Sequence, residues 1–244
     1  MKKTLLVASV VLGFIAVSHA AIVDDFESYT EAGNIAADTG GVWNGIPDFT
    51  GNPDIADDGA GNQYLTNFAT TTNRGAYSNL VANAVTDTYI TTLVFDMYLE
   101  TASQDTSFGL ANGGTDDYWS DFEAYIGITN TALTARNAGV VEDLGQTLNV
   151  GQWYSITIVA DTGADTYDVY LDALQVASDL VFRNSGAGTV VEDLDALKIM
   201  SNPGTDGSSN DLVRIDNINM TTVVPEPATL LLLGLGGILI RRRR

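Results

Sequence analysis

Residues 152–174, QWYSITIVADTGADTYDVYLDAL, decide the fold of this chain. Two runs of alternating apolar and polar residues flank the short segment DTGAD at 161–165. Alternation with a period of two residues is typical of a half-buried strand, and a Gly- and Asp-rich connection is typical of a hairpin turn. In the second run, Tyr167, Val169 and Leu171 are predicted to face a core. The stretch therefore predicts a β-hairpin.

Two further stretches show the same period. In TTLVFDMYLE (91–100) and SDFEAYIGIT (120–129), every second residue is apolar and is predicted to face the core. These core-facing residues are Leu93, Phe95, Met97 and Leu99 in the first stretch, and Phe122, Ala124, Ile126 and Ile128 in the second. Asp121, Glu123 and Tyr125 occupy the opposite face of the second stretch, which is predicted to be exposed to solvent.

The apolar pattern slips once, in LVRIDNINMTTV at 212–223. The apolar residues before and after Asp216–Asn217 point to opposite faces of an ideal strand, and a β-bulge at these residues, or burial on both faces, would explain this. No window of the body shows a long amphipathic helix, and no Ser/Pro-rich linker divides it. The sequence predicts one all-β domain over residues 21–220, with short strands arranged as a sandwich or barrel.

The chain is strongly acidic, with 31 Asp and Glu against 11 Lys and Arg. Residues 1–20 hold two lysines and residues 225–244 hold one glutamate and four arginines, so residues 21–224 carry a formal charge of −25. Such a surface repels phosphate backbones, which excludes nucleic-acid binding. The chain has no cysteine and one histidine, His19. The body therefore lacks the residues for disulfides, Cys/His zinc sites, thiol nucleophiles and histidine-based triads.

The N-terminus has the three parts of a secretory signal peptide. The basic start MKK precedes the apolar run LLVASVVLGFIAV and the small-residue sequence SHA. This order predicts export through the general secretion machinery and cleavage by signal peptidase after Ala20. Residues 1–20 are therefore assigned to a signal helix, and export removes His19.

The C-terminus, VVPEPATLLLLGLGGILIRRRR at 223–244, differs in character from the acidic body. Residues 228–240 contain no charge and would form about 20 Å of helix, a marginal membrane span. The dense positive charge that holds a segment end in the cytoplasm follows, as Arg241, Arg242, Arg243 and Arg244. Pro225 and Pro227 bar helix on the outer side. The sequence predicts a transmembrane helix at 228–240, a cytoplasmic tail at 241–244 and a stalk at 221–227.

This tail resembles the PEP-CTERM sorting signal of exported bacterial proteins, in which Pro-Glu-Pro precedes an apolar stretch and a basic end. The tripeptide here is Pro225, Glu226 and Pro227. The resemblance implies transient anchoring in the inner membrane of a Gram-negative-type bacterium. It also implies cleavage at or near the tripeptide by an exosortase, a membrane transpeptidase, and transfer to the cell surface or extracellular matrix. A tail anchor that is never cut is the alternative.

The body resembles concanavalin A/laminin G-like jelly rolls. The segments IVDDFESYT, GQWYSITIVADTGADTYDVYLDAL and VRIDNINM follow the order of that family and span most of the body. The resemblance implies an antiparallel β-sandwich whose first and last strands lie side by side. The stretch around Phe26 would then pair with that around Ile218.

Laminarinase-type glycoside hydrolases share this jelly roll and place three acids at alternate positions of one strand. The nearest match is WSDFE, where Trp119 stands in place of the glutamate nucleophile and Asp121 and Glu123 follow. Because the pattern is incomplete, a non-catalytic protein is favoured. A glycoside hydrolase acting on extracellular polysaccharide is the alternative.

Carbohydrate binding without cleavage agrees better with the stretch GGTDDYWSD. Tyr118 and Trp119 offer rings that stack on sugar faces, and Asp121 offers a carboxylate for hydroxyls. Core packing of Trp119 is an equal alternative. The other two tryptophans, Trp43 and Trp153, are predicted to be structural.

The sequence identifies no particular cofactor, but it offers oxygen ligands for a structural calcium ion. NPDIADDGAGN clusters Asn52, Asp54, Asp57 and Asp58 before a glycine turn, and the neighbourhood of Asp24 and Asp216 is a rival site. Clusters of Asp, Asn and Gly also occur in ordinary turns.

These observations predict a secreted, exosortase-sorted jelly roll of the cell envelope or extracellular matrix. Its role is structural or carbohydrate-interacting, and the expected partners are exosortase, signal peptidase, the secretion machinery and polysaccharide.

Overall fold

The structure, a computed structural model, describes residues 17–30, 35–46, 54–69, 74–78, 89–102, 105–112, 121–184, 194, 196–201 and 211–224. Within these residues the chain forms fifteen strands and one short helix, α1 (Ile35–Asp38). The strands form two sheets in which every pairing is antiparallel. The predicted β-sandwich is confirmed.

One sheet, sheet A, contains eight strands. They are β1 (Val17–Asp24), β3 (Asp54–Asp57), β4 (Gln63–Ala69), β6 (Ile90–Leu99), β11 (Trp153–Asp161), β12 (Thr166–Leu171), β13 (Leu174–Val181) and β15 (Asp211–Val224). Their order is β13-β12-β11-β6-β15-β4-β3, and β1 also pairs with β15. The long strand β15 therefore has β6 on one side and both β4 and β1 on the other.

The second sheet, sheet B, contains seven strands. They are β2 (Asn44–Gly45), β5 (Arg74–Ser78), β7 (Asp105–Ala111), β8 (Phe122–Thr129), β9 (Ala132–Asn137), β10 (Val140–Thr147) and β14 (Ala196–Ser201). Their order is β10-β9-β8-β7-β14-β5-β2.

The hairpin predicted at 152–174 is confirmed. β11 and β12 pair from Asp161 opposite Thr166 down to Ile156 opposite Leu171. The implied neighbourhood of the first and last strands is also present, because β1 pairs with β15 and Asp24 lies opposite Ile218.

The slip in the apolar pattern of β15 is a β-bulge. The register with β6 shifts between Asp216 and Asn219, and Asn217 has a φ of 50°. The extra residue restores the inward direction of the side chains that follow it. As a result the core contains apolar residues from both halves of the strand, Val213, Ile215, Ile218 and Met220.

The core lies between the two sheets. Phe95 of β6 meets Phe108 of β7 edge-on, with ring centroids 4.4 Å apart. Tyr167 of β12 crosses the core, and its hydroxyl accepts a hydrogen bond from the Arg136 backbone N of β9 (3.0 Å) and donates to the Arg136 carbonyl (2.5 Å). Burial raises the pKa of the Tyr167 phenol, so it stays protonated and can donate.

The prediction that one face of β8 is exposed to solvent is wrong. Glu123 is 2 % exposed and Tyr125 is 4 % exposed. The pairing of β8 with β7 shifts in register after Leu110, so Phe122 packs with Tyr125 in a second apolar cluster and not in the main core. A strand buried on both faces needs partners for its charges, and the structure supplies them.

The two ends of the described chain meet in sheet A. β1 begins at Val17, four residues before the predicted cleavage point, and its residues Ala21–Asp24 pair with residues 218–221. β15 continues through residues 221–224, part of the predicted stalk, and its last residue, Val224, directly precedes Pro225 in the sequence. No helix among the described residues is long and apolar enough to cross a membrane. Residues 1–16 of the predicted signal helix, residues 225–227 of the predicted stalk, the predicted transmembrane helix at 228–240 and the tail at 241–244 lie outside the described residues.

Candidate functional site

The face of sheet B that points away from sheet A, here called the outer face, is closed at one end. The apolar residues Ile46, Phe122, Tyr125 and Met200 are buried there as a cluster, with Tyr77 packed against them. Along β14, Leu197 and Ile199 belong to the main core, so Lys198 and Met200 point to the outer face. Lys198 is fully buried.

The other end of the outer face holds a cavity of about 330 Å³. Its floor is formed by three neighbouring strands, and β10 closes one side with Val141. The polar floor residues are Asp105 and Ser107 of β7, Tyr125 and Thr129 of β8, and Thr134 and Arg136 of β9.

Gly127 keeps the floor of the cavity open. It pairs with Ser107 on one side and Thr134 on the other. A Cβ atom at this position would lie 2.7 Å from the Thr134 Oγ1 and 3.6 Å from the Ser107 Oγ. The absence of a side chain therefore leaves the space between these two hydroxyls open.

Arg136 contributes the positive charge of the cavity. Its backbone is held by the Tyr167 hydroxyl, and its Nη1 donates to the Gly139 carbonyl in the turn between β9 and β10. Its Nε is buried and has no hydrogen-bond partner in the described part of the chain. The guanidinium is thus positioned by the protein with one buried donor unsatisfied.

The predicted sugar-binding residues are only partly described. Tyr118 and Trp119 lie outside the described residues. Asp121 is described, and its Oδ2 lies 2.5 Å from the Nζ of the buried Lys198. This carboxylate does not line the cavity. Trp43 is structural as predicted, since it is buried and its Nε1 donates to Asp24 (3.0 Å), whereas Trp153 is 39 % exposed beside Tyr98.

Glu123, the second carboxylate of the hydrolase alternative, is also held away from the cavity. Its Oε2 accepts from the Asn184 backbone N at 3.1 Å, and its Oε1 accepts from the Asn184 Nδ2 at 2.5 Å. Burial raises the pKa of the Glu123 carboxyl, an effect that the bonds from Asn184 oppose. Among the described residues that line the cavity, Asp105 is the single carboxylate. Retaining or inverting hydrolysis uses two.

The described members of the predicted calcium site take part in local backbone hydrogen bonds. Asp57 accepts from the Gly59 N at 2.5 Å, Asp58 accepts from the Ala60 N at 2.7 Å, and Asp54 accepts from the Ile55 N at 2.9 Å. Asn52 lies outside the described residues. The bonds from the turn amides lower the pKa of the Asp58 carboxyl.

The rival calcium site has its own donors. Asp24 accepts from the Tyr29 hydroxyl and the Trp43 Nε1, both at 3.0 Å, while Asp216 accepts from the Asn62 Nδ2 at 3.2 Å. Burial raises the pKa of the Asp216 carboxyl. Within the described ranges, no group of three or more His, Cys, Asp or Glu side chains is arranged to hold a metal ion.

Sequence reasoning missed the cavity residues. Two signals were available: Arg136 is one of five basic residues in residues 21–224, and small or polar residues alternate with apolar ones along β7. Neither signal says which strands are neighbours, and the cavity depends on the order β9-β8-β7.

The fold and the cavity define a β-sandwich protein with an open polar site on the outer face of one sheet. Its C-terminal residues 223–244 match the PEP-CTERM protein-sorting motif, which confirms the resemblance seen in the sequence and implies export with membrane-anchored processing. No curated protein matches the chain.

Solved structures share the sandwich. A sialidase superposes with a TM-score of 0.58 at 13 % identity, over 82 % of this chain but 18 % of the sialidase. A carbohydrate esterase from the Shiga toxin-encoding bacteriophage phi24B superposes with a TM-score of 0.49 at 12 % identity, over 82 % of this chain and 98 % of the esterase. This chain therefore spans about a fifth of the sialidase, and at such identities the likeness concerns the fold.

Proposed function

We propose that this chain is a non-catalytic, carbohydrate-binding protein of the cell surface or extracellular matrix that holds a polysaccharide in the cavity of sheet B. The observation that carries the proposal is the composition of that cavity. Ser107, Thr129 and Thr134 line the floor with aliphatic hydroxyls, together with the carboxylate of Asp105 and the guanidinium of Arg136. Its volume of about 330 Å³ is at the lower end of the range of small-molecule sites and suits one or two sugar rings.

The polar groups of the cavity match the chemistry of sugars. Sugar hydroxyls donate to carboxylates and accept from hydroxyls and guanidinium groups, and the cavity offers all three kinds of partner. The groups stand on paired strands, where neighbouring side chains have fixed spacing, so little order has to be imposed when a ligand binds.

Binding is tested on the processed protein purified from its host, by titration calorimetry against hexasaccharides. Thr134→Val removes a floor hydroxyl at constant shape, and we expect at least a tenfold loss of affinity, since an unmatched sugar hydroxyl remains. Thr157→Val on β11 of sheet A is the matched control and should leave affinity unchanged. If both variants bind with the affinity of the wild type, the cavity is not the site of carbohydrate binding.

The sorting motif supports the location that we propose. Signal peptidase and an exosortase would remove the two ends, and the sandwich would then be delivered outside the inner membrane. Replacing Pro225, Glu226 and Pro227 together with alanine should leave the protein in the membrane fraction of its host. Unaltered release into the surface or matrix fraction would contradict processing at this tripeptide.

Hydrolysis of polysaccharide is the second candidate, because the raised pKa of the Glu123 carboxyl is a property of general acids. We favour a structural role for Glu123, since Asn184 occupies both of its oxygens. A reducing-sugar assay on the wild type and on the double variant Asp121→Asn, Glu123→Gln decides the question. Activity in the wild type that disappears in the variant would establish a hydrolase.

A further inference from the structure

We propose that the sugar held in this cavity is acidic, and that its carboxylate binds the guanidinium of Arg136. The inference rests on the proposed carbohydrate binding and adds the chemical class of the ligand.

The charge of Arg136 is the first reason. Lys198 and Arg214 pair with Asp121 and Glu100, whereas Arg136 makes no salt bridge within the described ranges. Arg136 is also the one basic residue among the described residues that line the cavity. The formal charge of −25 on the body repels an anionic chain as a whole, so a preference for an acidic sugar has to come from this local cation, which is not paired with a carboxylate in the described ranges.

The orientation of the guanidinium is the second reason. The Nη1 donates to the Gly139 carbonyl, which holds the guanidinium in the lining of the cavity. A guanidinium can bind a carboxylate with two parallel hydrogen bonds, the geometry for which arginine is favoured over lysine.

The position of Arg136 is fixed before any ligand binds. The Tyr167 hydroxyl contacts both the backbone N (3.0 Å) and the carbonyl (2.5 Å) of Arg136 from sheet A. Because the residue is anchored across the core and at the Gly139 turn, the conformational freedom that it loses on binding is small.

The remaining floor residues agree with a sugar acid. In a hexuronate, one ring carries a carboxylate and several hydroxyls. When the sugar carboxylate binds Arg136, the ring hydroxyls can form hydrogen bonds with Ser107 and Thr134. Asp105 can accept a hydrogen bond from another ring hydroxyl. The negative charge of Asp105 disfavours a second carboxylate on the same ring. The cavity therefore suits one negative charge per sugar ring.

The test compares each acidic sugar with its own neutral form. The processed full protein is titrated with hexagalacturonate and hexamannuronate, and with the same hexamers after reduction of their carboxyl groups to alcohols. We expect at least one acidic hexamer to bind tenfold or more tightly than its reduced form. Equal or tighter binding of the reduced hexamers overturns the acidic-sugar proposal but supports carbohydrate binding. If no hexamer of either kind binds, both proposals fall.

Variants then assign the preference to Arg136. Arg136→Gln should abolish the difference between acidic and reduced hexamers, and Arg136→Lys, which keeps the charge but not the two-point geometry, should retain part of it. Arg214→Gln removes the same positive charge as Arg136→Gln, but from sheet A. This control should keep the full preference for acidic over reduced hexamers. Thermal midpoints confirm that each variant is folded. A preference that survives in folded Arg136→Gln contradicts the role of this residue, and the reduced-hexamer comparison does not depend on any variant.

Discussion

At the scale of single residues, two glycines allow the strands of sheet B to approach each other. A Cβ at Gly109 would lie 2.5 Å from the Ala124 carbonyl oxygen and 2.5 Å from the Tyr125 Cα, both backbone atoms. A Cβ at Gly127 would meet the Thr134 side chain instead. Backbone atoms cannot move aside without disturbing the pairing of β7 with β8, whereas a threonine side chain can rotate.

Gly109→Ala is therefore expected to cost more stability than Gly127→Ala. Overpacking a buried site typically costs about 1–3 kcal/mol, and we expect Gly109→Ala at about 3 kcal/mol and Gly127→Ala at about 1 kcal/mol. Urea unfolding of the three proteins measures the difference. Equal losses would mean that the two strands can separate at no greater cost than a side-chain rotation.

Glu123 gives the molecule a pH dependence. Burial raises the pKa of its carboxyl in the folded state. The folded protein therefore binds this proton more tightly than the unfolded chain, and the contribution to stability is complete below the unfolded pKa of 4.5. It is lost as the pH rises through the folded pKa.

Glu123→Gln removes this titration, so the free energy of unfolding of the variant should improve relative to the wild type between pH 4 and pH 7. Urea titrations at both pH values measure the change. The matched control is Asp25→Asn, which removes one carboxylate from an exposed site. The prediction fails if Glu123→Gln and Asp25→Asn show the same change with pH.

At the scale of elements, β14 places a lysine under the outer face of sheet B. Lys198 is fully buried, and Asp121, at the start of β8, supplies a carboxylate at 2.5 Å. Removing one member of a buried ion pair leaves the other charge without its partner, whereas replacing both with neutral groups is often tolerated.

We expect Asp121→Asn to lower the free energy of unfolding by about 3 kcal/mol, the low end of the range for such pairs, since Asp121 is 17 % exposed. Adding Lys198→Met to Asp121→Asn should recover about 1 kcal/mol or more, because methionine fills similar space without a charge. A double-mutant cycle by urea unfolding measures this coupling, and strictly additive losses would show that the pair contributes nothing as a pair.

A strand could be predicted from the sequence where its own alternation of apolar and polar residues determines which side chains face the core. The β11–β12 hairpin and the bulge of β15 are both visible as local features of alternation and turn composition. The exposed face predicted for β8 failed, because Asp121 and Glu123 are held by Lys198 and Asn184, residues distant in the sequence. The cavity was missed for the same reason, since strand order and register decide which side chains meet.

At the scale of the whole molecule, stability should not depend on divalent cations. Asp57 and Asp58 accept hydrogen bonds from turn amides, and Asp24 accepts from the buried Trp43 and from Tyr29. These carboxylates already have structural donors, so the turn and the contact of β1 with Trp43 are held by the protein itself.

We therefore expect the thermal midpoint to differ by less than about 1 °C between 1 mM EDTA and 1 mM CaCl₂. If calcium bound only the folded state, the midpoint would be several degrees higher in CaCl₂ than in EDTA. Magnesium chloride at the same concentration controls for ionic strength. A rise specific to calcium would show that Asp54, Asp57 and Asp58, or Asp24 and Asp216, hold an ion.

The position of β15 in sheet A determines when the exported chain can complete its folding. This strand is the last of the described strands to emerge during translocation, yet it lies between β6 and the pair β1 and β4. Until it arrives, β6 presents an unsatisfied row of amides and carbonyls to the compartment outside the membrane. Sheet A is therefore completed only after the other described strands have crossed the membrane. A protease that acted on the neighbouring Pro-Glu-Pro before this strand docked would release an unfinished, aggregation-prone chain.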